Sequence, residues 1–187
     1  MNSGKKKAGK VVLGIVVAGL AVAGYLFGPT VAALWKAGFF SDVKKSEYVG
    51  TSKDNLRRLY TAMMLYHESE GQFPAAEGWM DAIENRLQTA DLKDGEGKKK
   101  LHNPLLGEDS YGYAMNSLAS GKYVDDLPEG KKTILLFDSS KTNRDASGDP
   151  KVDVPNPARQ GGNLAILADG TLLVDGKPEV APAQSAK

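Results

Sequence analysis

The sequence predicts an α+β fold in which an N-terminal transmembrane helix leads to an amphipathic helix packed on a small antiparallel sheet. Three observations carry this. Val11 to Phe27 form an almost unbroken apolar run behind Lys5, Lys6, Lys7 and Lys10. Leu56, Leu59, Tyr60, Met63 and His67 then recur at helical spacing, with Arg57, Arg58 and Glu68 on the other side. Further along, short β-rich runs follow the helices without βαβ alternation, the order expected of an α+β domain.

The apolar run spans 17 residues, and 25 if the helix continues past Pro29 to Trp35. At about 1.5 Å per residue the longer form crosses a hydrocarbon core of roughly 30 Å. Ala21-Val22-Ala23 also has the form of a secretory cleavage site, which would leave Gly24 first. The apolar character continuing through Tyr25, Leu26 and Phe27 to Trp35 favours the uncleaved anchor. No acid occurs before Asp42. The positive-inside rule therefore places the N-terminus in the cytoplasm and the following domain outside the cytoplasmic membrane, periplasmic or extracellular. Gly14-x-x-x-Ala18 and Gly19-x-x-x-Ala23 are small-residue patterns that let membrane helices pack, a hint of self-association.

The elements then follow in order. Residues 1–10 form a cytoplasmic basic segment, 11–35 the span, 36–50 a juxtamembrane connector, 51–176 the folded domain and 177–187 a disordered Ala/Pro-rich tail. Thr51 or Ser52 caps the amphipathic helix, Asp54 suits its first turn, and Gly71 ends it. A second helix runs from Gly78 to Gln88 with Trp79, Ile83 and Leu87 as its buried stripe. Asp91 to Asp109 reads as a long polar loop. Strands follow at Tyr111–Met115 and Thr133–Phe137, and Leu164–Ala168 with Thr171–Val174 forms a hairpin. Asp169-Gly170 between those last two suits a type I′ turn, where both central residues take positive φ. Asp138 to Gly162 reads as an irregular loop.

Composition narrows the chemistry. Residues 1–40 hold five lysines and no acid, leaving 19 basic against 23 acidic residues beyond them. A mildly acidic domain has no electrostatic footprint for nucleic acid. The absence of cysteine removes disulfides, thiol catalysis and Cys-ligated metal. With only His67 and His102 and no hydrolase, zincin or phosphate-loop pattern, no catalytic constellation can be named. His67 falls on an apolar helix stripe and reads as a packed side chain. Asp138, Asp145, Asp149 and Asp153 offer oxygen ligands of the type Ca²⁺ takes, but their spacing matches no calcium loop and the solvated-loop reading is preferred. No cofactor is expected.

Taken in order, Asn55-Leu56-Arg57-Arg58-Leu59, Leu65-Tyr66-His67, Gly71-Gln72-Phe73-Pro74, Trp79 and Tyr111-Gly112-Tyr113-Ala114-Met115-Asn116-Ser117 form the first part of a recognisable series. Gly121-Lys122, Lys132 to Asp138, Gly161-Gly162-Asn163 and Ala168-Asp169-Gly170 complete it. Over residues 52–174 this resembles the pilin-like proteins that carry a prepilin-type processing-associated H-x(9)-D-G domain, relatives of type IV pilins and type II secretion pseudopilins. The resemblance implies a membrane helix continuing into the amphipathic helix, and a structural or accessory role through contacts with other envelope or pilin-like proteins rather than catalysis. It marks Tyr113, Asn116, Gly161, Gly162, Asn163, Asp169 and Gly170 as motif residues.

Two departures qualify what the resemblance implies. The motif histidine falls at Arg159, or at Gln160 with a one-residue adjustment. At the N-terminus Gly9 is followed by Lys10-Val11-Val12-Leu13-Gly14, without the prepilin processing signature, and the span has no Glu. The expectation is an unprocessed, permanently anchored accessory component rather than a major filament subunit. An anchored binding module using the 138–162 loop is the alternative, and an envelope enzyme ranks third.

Overall fold

The computed structural model describes Lys36, residues 45–107 and residues 110–179. The chain divides into two compact units, Met1–Lys44 and Lys45–Lys187. Of the first only Lys36 is described, so the predicted span over 11–35 and its small-residue patterns lie outside the described residues. Among the described residues no helix is long and apolar enough to cross a membrane.

Helix α1, Ser52–Glu70, begins where its sequence supplies a cap. Thr51 is extended, its hydroxyl accepts from the Asp54 amide at 3.2 Å, and the Asp54 carboxylate accepts from the Thr51 amide at 3.1 Å. This reciprocal box satisfies amides that have no helical partner at an N-terminus. Gly71, in the left-handed region at φ +81°, closes the helix by donating to the His67 carbonyl. The predicted stripe is in place: Leu56, Leu59 and Met63 are buried, and Tyr60 packs beside them.

Ahead of α1 the chain is an extended strap rather than a helix. The Ser46 amide donates to the Asp91 carbonyl at 2.8 Å, and the Ser46 carbonyl accepts from Lys93 at 2.9 Å. The Tyr48 amide donates to the Glu96 carboxylate at 2.7 Å, and its hydroxyl donates to Asn55 at 2.6 Å. Lys45 pairs with Asp94 and Lys93 with Glu47, each at 2.7 Å. Tyr48 folds back so closely that a Cβ on Gly50 would lie 2.1 Å from its hydroxyl. Helix α1 thus starts afresh, against the continuous helix that the resemblance implies. The non-helical residues 45–50, the extended Thr51 and its closed capping box begin α1 as a separate helix.

The second helix is shorter than predicted. A 3₁₀ turn, Ala76–Gly78, leads into α2, Trp79–Glu84, and the Arg86 and Leu87 amides then reach back three residues to Ile83 and Glu84. The coil tightens there, yet Trp79, Ile83 and Leu87 are all buried. The expected polar loop after it is also partly internal. It contains the 3₁₀ helix Glu96–Leu101, and Lys100 is 3% exposed with its Nζ donating to the Leu87 carbonyl at 2.6 Å. A lysine run reads as solvated, but one stem here crosses apolar surface to reach a carbonyl.

Six strands follow: β1 Tyr113–Asn116, β2 Ile134–Asp138, β3 Ser147–Gly148, β4 Leu164–Leu167, β5 Leu172–Val174 and β6 Lys177–Pro178. Their order is β3-β1-β2-β4-β5-β6. The sheet is mixed, not antiparallel as expected, because β3 runs parallel to β1 with Ser147 beside Met115. The loop read as irregular is clamped to α2, which draws β3 into place. Trp79 Nε1 donates to the Ala146 carbonyl at 2.9 Å, and the Asp145 carboxylate accepts from the Met80 amide at 2.7 Å.

A register shift between Ile134 and Leu136 turns both Leu135 and Leu136 into the main core with α1 and α2. Phe137, Ala114 and Ala146 form a smaller cluster on the other face.

The β4–β5 hairpin forms where predicted, but with a different turn. Of the Asp169-Gly170 pair only Gly170 has positive φ, its amide donates to the Leu167 carbonyl at 2.9 Å, and Leu167 donates to Thr171 at 3.0 Å. This is the three-residue hairpin loop with a left-handed glycine. The two-residue form occurs one hairpin later, where Asp175 (φ +49°) and Gly176 (φ +75°) join the paired residues Val174 and Lys177. The predicted disordered tail over 177–187 is corrected at its start: Lys177–Pro178 is an edge strand, and the Glu179 amide bonds the Leu172 carbonyl at 2.8 Å. Glu179 also pairs with Lys53 and Arg57 on α1. Residues 180–187 lie outside the described residues.

Replacing Thr51 with Ala removes the hydroxyl half of the cap and is expected to lower stability by about 1 kcal/mol in urea unfolding. An unchanged unfolding midpoint would mean that the strap, not the cap, defines the start of α1.

Candidate functional site

The last residue of β2 is a carboxylate sealed from solvent. Asp138 is 1% exposed, and donors from three separate segments converge on it. Asn103 Nδ2 donates to Oδ1 at 3.0 Å, the Leu164 amide donates to Oδ2 at 3.0 Å, and Arg159 Nη1 lies 3.4 Å from Oδ1. Asn103 in turn accepts from the Ser52 hydroxyl at 2.8 Å and the Leu105 amide at 3.1 Å, linking the carboxylate to the first turn of α1. Arg159 donates to the Gly112 carbonyl at 2.9 Å and to the Ser139 carbonyl, which ties down the chain on either side of the β1–β2 pair. Burial pushes the Asp138 carboxyl up to about 6, against the lowering pull of the Leu164 amide, Arg159 and Asn103.

A cleft of about 440 Å³ opens beside this network. Gly50 to Lys53 form one side, Pro104 and Leu105 another, and Gln160 to Gly162 a third, with Asp138 and Leu164 among the lining residues. It combines a mainly apolar lining with a buried, perturbed carboxylate and the N-terminus of a helix, the arrangement typical of a small-ligand or side-chain pocket. Arg159 and Asn103 both occupy Oδ1 of Asp138, and the Leu164 amide occupies Oδ2.

The residues singled out by motif separate into two groups. Tyr113 sits at the cleft end of β1, paired with Asp138 across the strands. Its hydroxyl donates to the Ser52 carbonyl at 3.4 Å, and burial raises its phenol above the ordinary value. Gly161 and Gly162 line the cleft. Asn163 holds the base of the hairpin: its Nδ2 donates to the Pro155 carbonyl at 2.9 Å and its amide to Asp175 at 2.8 Å. Asn116, Asp169 and Gly170 lie away from the cleft. Asn116 donates to the Ile134 carbonyl at 2.7 Å, and Asp169 accepts from the Thr171 amide at 2.8 Å inside its own turn. That bond holds the Asp169 carboxyl below its usual range.

Sequence reasoning missed Asn103, the bond that Ser52, read only as a candidate cap, makes to it, and the structural use of Arg159. Asn103-Pro104 followed by Leu105 and Leu106 was the available signal for an inward turn in a basic loop.

The four aspartates weighed as calcium ligands are each engaged by protein donors. Asp138 faces Arg159, Asp145 accepts from Met80, Asp149 accepts from the Lys151 amide at 2.8 Å, and Asp153 pairs with Lys141 at 3.1 Å. Among the described residues no three His, Cys, Asp or Glu side chains are grouped as a metal site. His67 is packed on Phe73, with 4.7 Å between ring centroids, and its Nε2 accepts from the Val124 amide at 3.3 Å. Comparison with protein families, curated proteins and solved structures finds no match.

Because the folded-state pKa of Asp138 is raised, the folded chain holds this proton more tightly than the unfolded chain. Its contribution to stability is therefore greatest at low pH, falls as pH rises from about 3.8 through about 6, and is flat above that. Between pH 7 and pH 5 the folded state gains on the order of 1 kcal/mol from this group. Urea unfolding at the two pH values should show that gain in the natural chain and not in Asp138→Asn. An equal slope in both would remove Asp138 as its source. Asp138→Ala, which leaves the Arg159 guanidinium without its carboxylate, should cost about 3–5 kcal/mol.

Proposed function

We propose that the chain is a membrane-anchored, pilin-like structural or accessory component of an envelope or secretion-type assembly, working through protein–protein contacts outside the cytoplasmic membrane. The observation that carries this reading is the strap. The segment leading back toward the apolar run is fastened to the folded unit by paired backbone bonds at Ser46 and by Tyr48 before α1 begins. A folded unit that orders the residues ahead of its first helix offers a defined point at which an N-terminal anchor would join it.

The same strap supports an accessory role over that of a filament subunit. Extended residues ahead of Thr51 interrupt the helix on which the continuous pilin arrangement depends, in keeping with the missing Glu and processing signature. At the position of the motif histidine, Arg159 holds Asp138 and two carbonyls, so its use in this chain is structural.

A second reading is favoured by the cleft itself, which lies where the two ends of the 138–162 segment meet α1. In that reading the anchored domain recognises a largely apolar group carrying a hydrogen-bond donor. Calcium is disfavoured at Asp138, because a cation there would face the Arg159 guanidinium.

The absence of cysteine allows a direct test with Val49→Cys, at a position 94% exposed. In spheroplasts the full chain should sediment with membranes, react with a membrane-impermeant maleimide and crosslink to envelope proteins. Its N-terminal mass should be that of the uncleaved chain. Protein that is released as a soluble species, or protected from the reagent until lysis, would contradict the proposal.

A further inference from the structure

Among the described residues helix α1 covers one face of the sheet, whereas the other face is covered over only part of its breadth. Ala146 and Val154 pack there on Ala114, Phe137 and Ala165. Beyond them Ile134, Leu167 and Leu173 line an open groove of about 430 Å³. One wall carries Glu129 and Lys132, and another carries Asp149 and Lys151. Leu118, 57% exposed, also lines the groove, and Val152, 75% exposed, follows Lys151.

We propose that this groove is the contact surface for a second copy of the chain related by a two-fold axis. The charges favour that occupant. Glu129, Lys132, Asp149 and Lys151 are all exposed and, among the described residues, none has an ion-pair partner. Each wall bears one acid and one base, so a partner of a single charge sign would gain no net attraction from either wall. A two-fold copy instead presents its own acid and base to each wall, and opposite charges meet over a shared apolar floor.

The sheet edges also direct association to this face. Pro178 removes an amide donor from edge strand β6, and β3 has two residues. Both features blunt pairing by strand addition. The contact is separate from packing between apolar N-terminal runs, and it does not depend on the anchored reading.

The test uses the full chain in detergent, with its mass followed by sedimentation equilibrium. One variant, K132E with K151E, gives an all-acidic rim; another, E129K with D149K, gives an all-basic rim. The natural chain should dimerise, each variant should do so about ten-fold or more weakly, and an equimolar mixture of the two should recover a mixed dimer. Unchanged melting temperatures separate loss of contact from loss of fold. A monomeric natural chain, variants that dimerise as well as the natural chain, or a mixture that fails to recover the dimer would each overturn the proposal. So would a dimer that keeps its strength in both rim variants but is lost in Gly19→Leu, since that places the contact in the apolar run.

Discussion

Asp138 couples parts of the chain that are remote in sequence. Through Asn103 it reaches the first turn of α1, through the Leu164 amide it fixes the start of β4, and through Arg159 it holds the carbonyls of Gly112 and Ser139. Removing a carboxylate from water is costly, and the cost is partly offset here because strong donors meet it from several directions. The same convergence gives the domain its cleft, since the segments that reach Asp138 are the ones that line it. Burial raises the carboxyl only to about 6, so it is mostly ionised at neutral pH and accepts from all its donors.

Features set by neighbours in sequence were legible in advance. The Thr51 cap, the Asp54 partner, the Gly71 stop and the apolar stripes of both helices each depend on residues within a turn or two. Asp138 was readable only as one of several loop acids, because Leu164 and Asn103 lie 26 and 35 residues away along the chain. The turn at Asp169-Gly170 shows a subtler limit. The same dipeptide occurs at Asp175-Gly176, and strand register, not dipeptide composition, decides which one adopts the two-residue turn. Strand β3 was hidden for a related reason: two residues joined by a parallel pairing have no periodicity to read, and Trp79 and Asp145 supply the clamp from outside the strand.

The strap and the buried network meet at the start of α1. Tyr48 bonds Asn55, whose side-chain Nδ2 donates to the His102 carbonyl at 2.8 Å, one residue before Asn103. The path from strap to Asp138 therefore runs through hydrogen bonds joined by the single peptide bond between His102 and Asn103. Such linkage explains why polar side chains are retained in a core that apolar residues would fill more simply. The ion pairs of the strap are solvent-exposed and add little by themselves. Its backbone bonds and the Tyr48 hydroxyl carry the attachment.

The central claim is that Asp138 joins these segments into one cooperative unit. Amide hydrogen exchange followed residue by residue in Asp138→Asn tests it most directly. Protection should fall together at Leu164, in the first turn of α1 and at the start of β1, while the Leu172–Val174 strand retains its protection. A loss confined to the Leu164 amide, with α1 and β1 unchanged, would contradict the account.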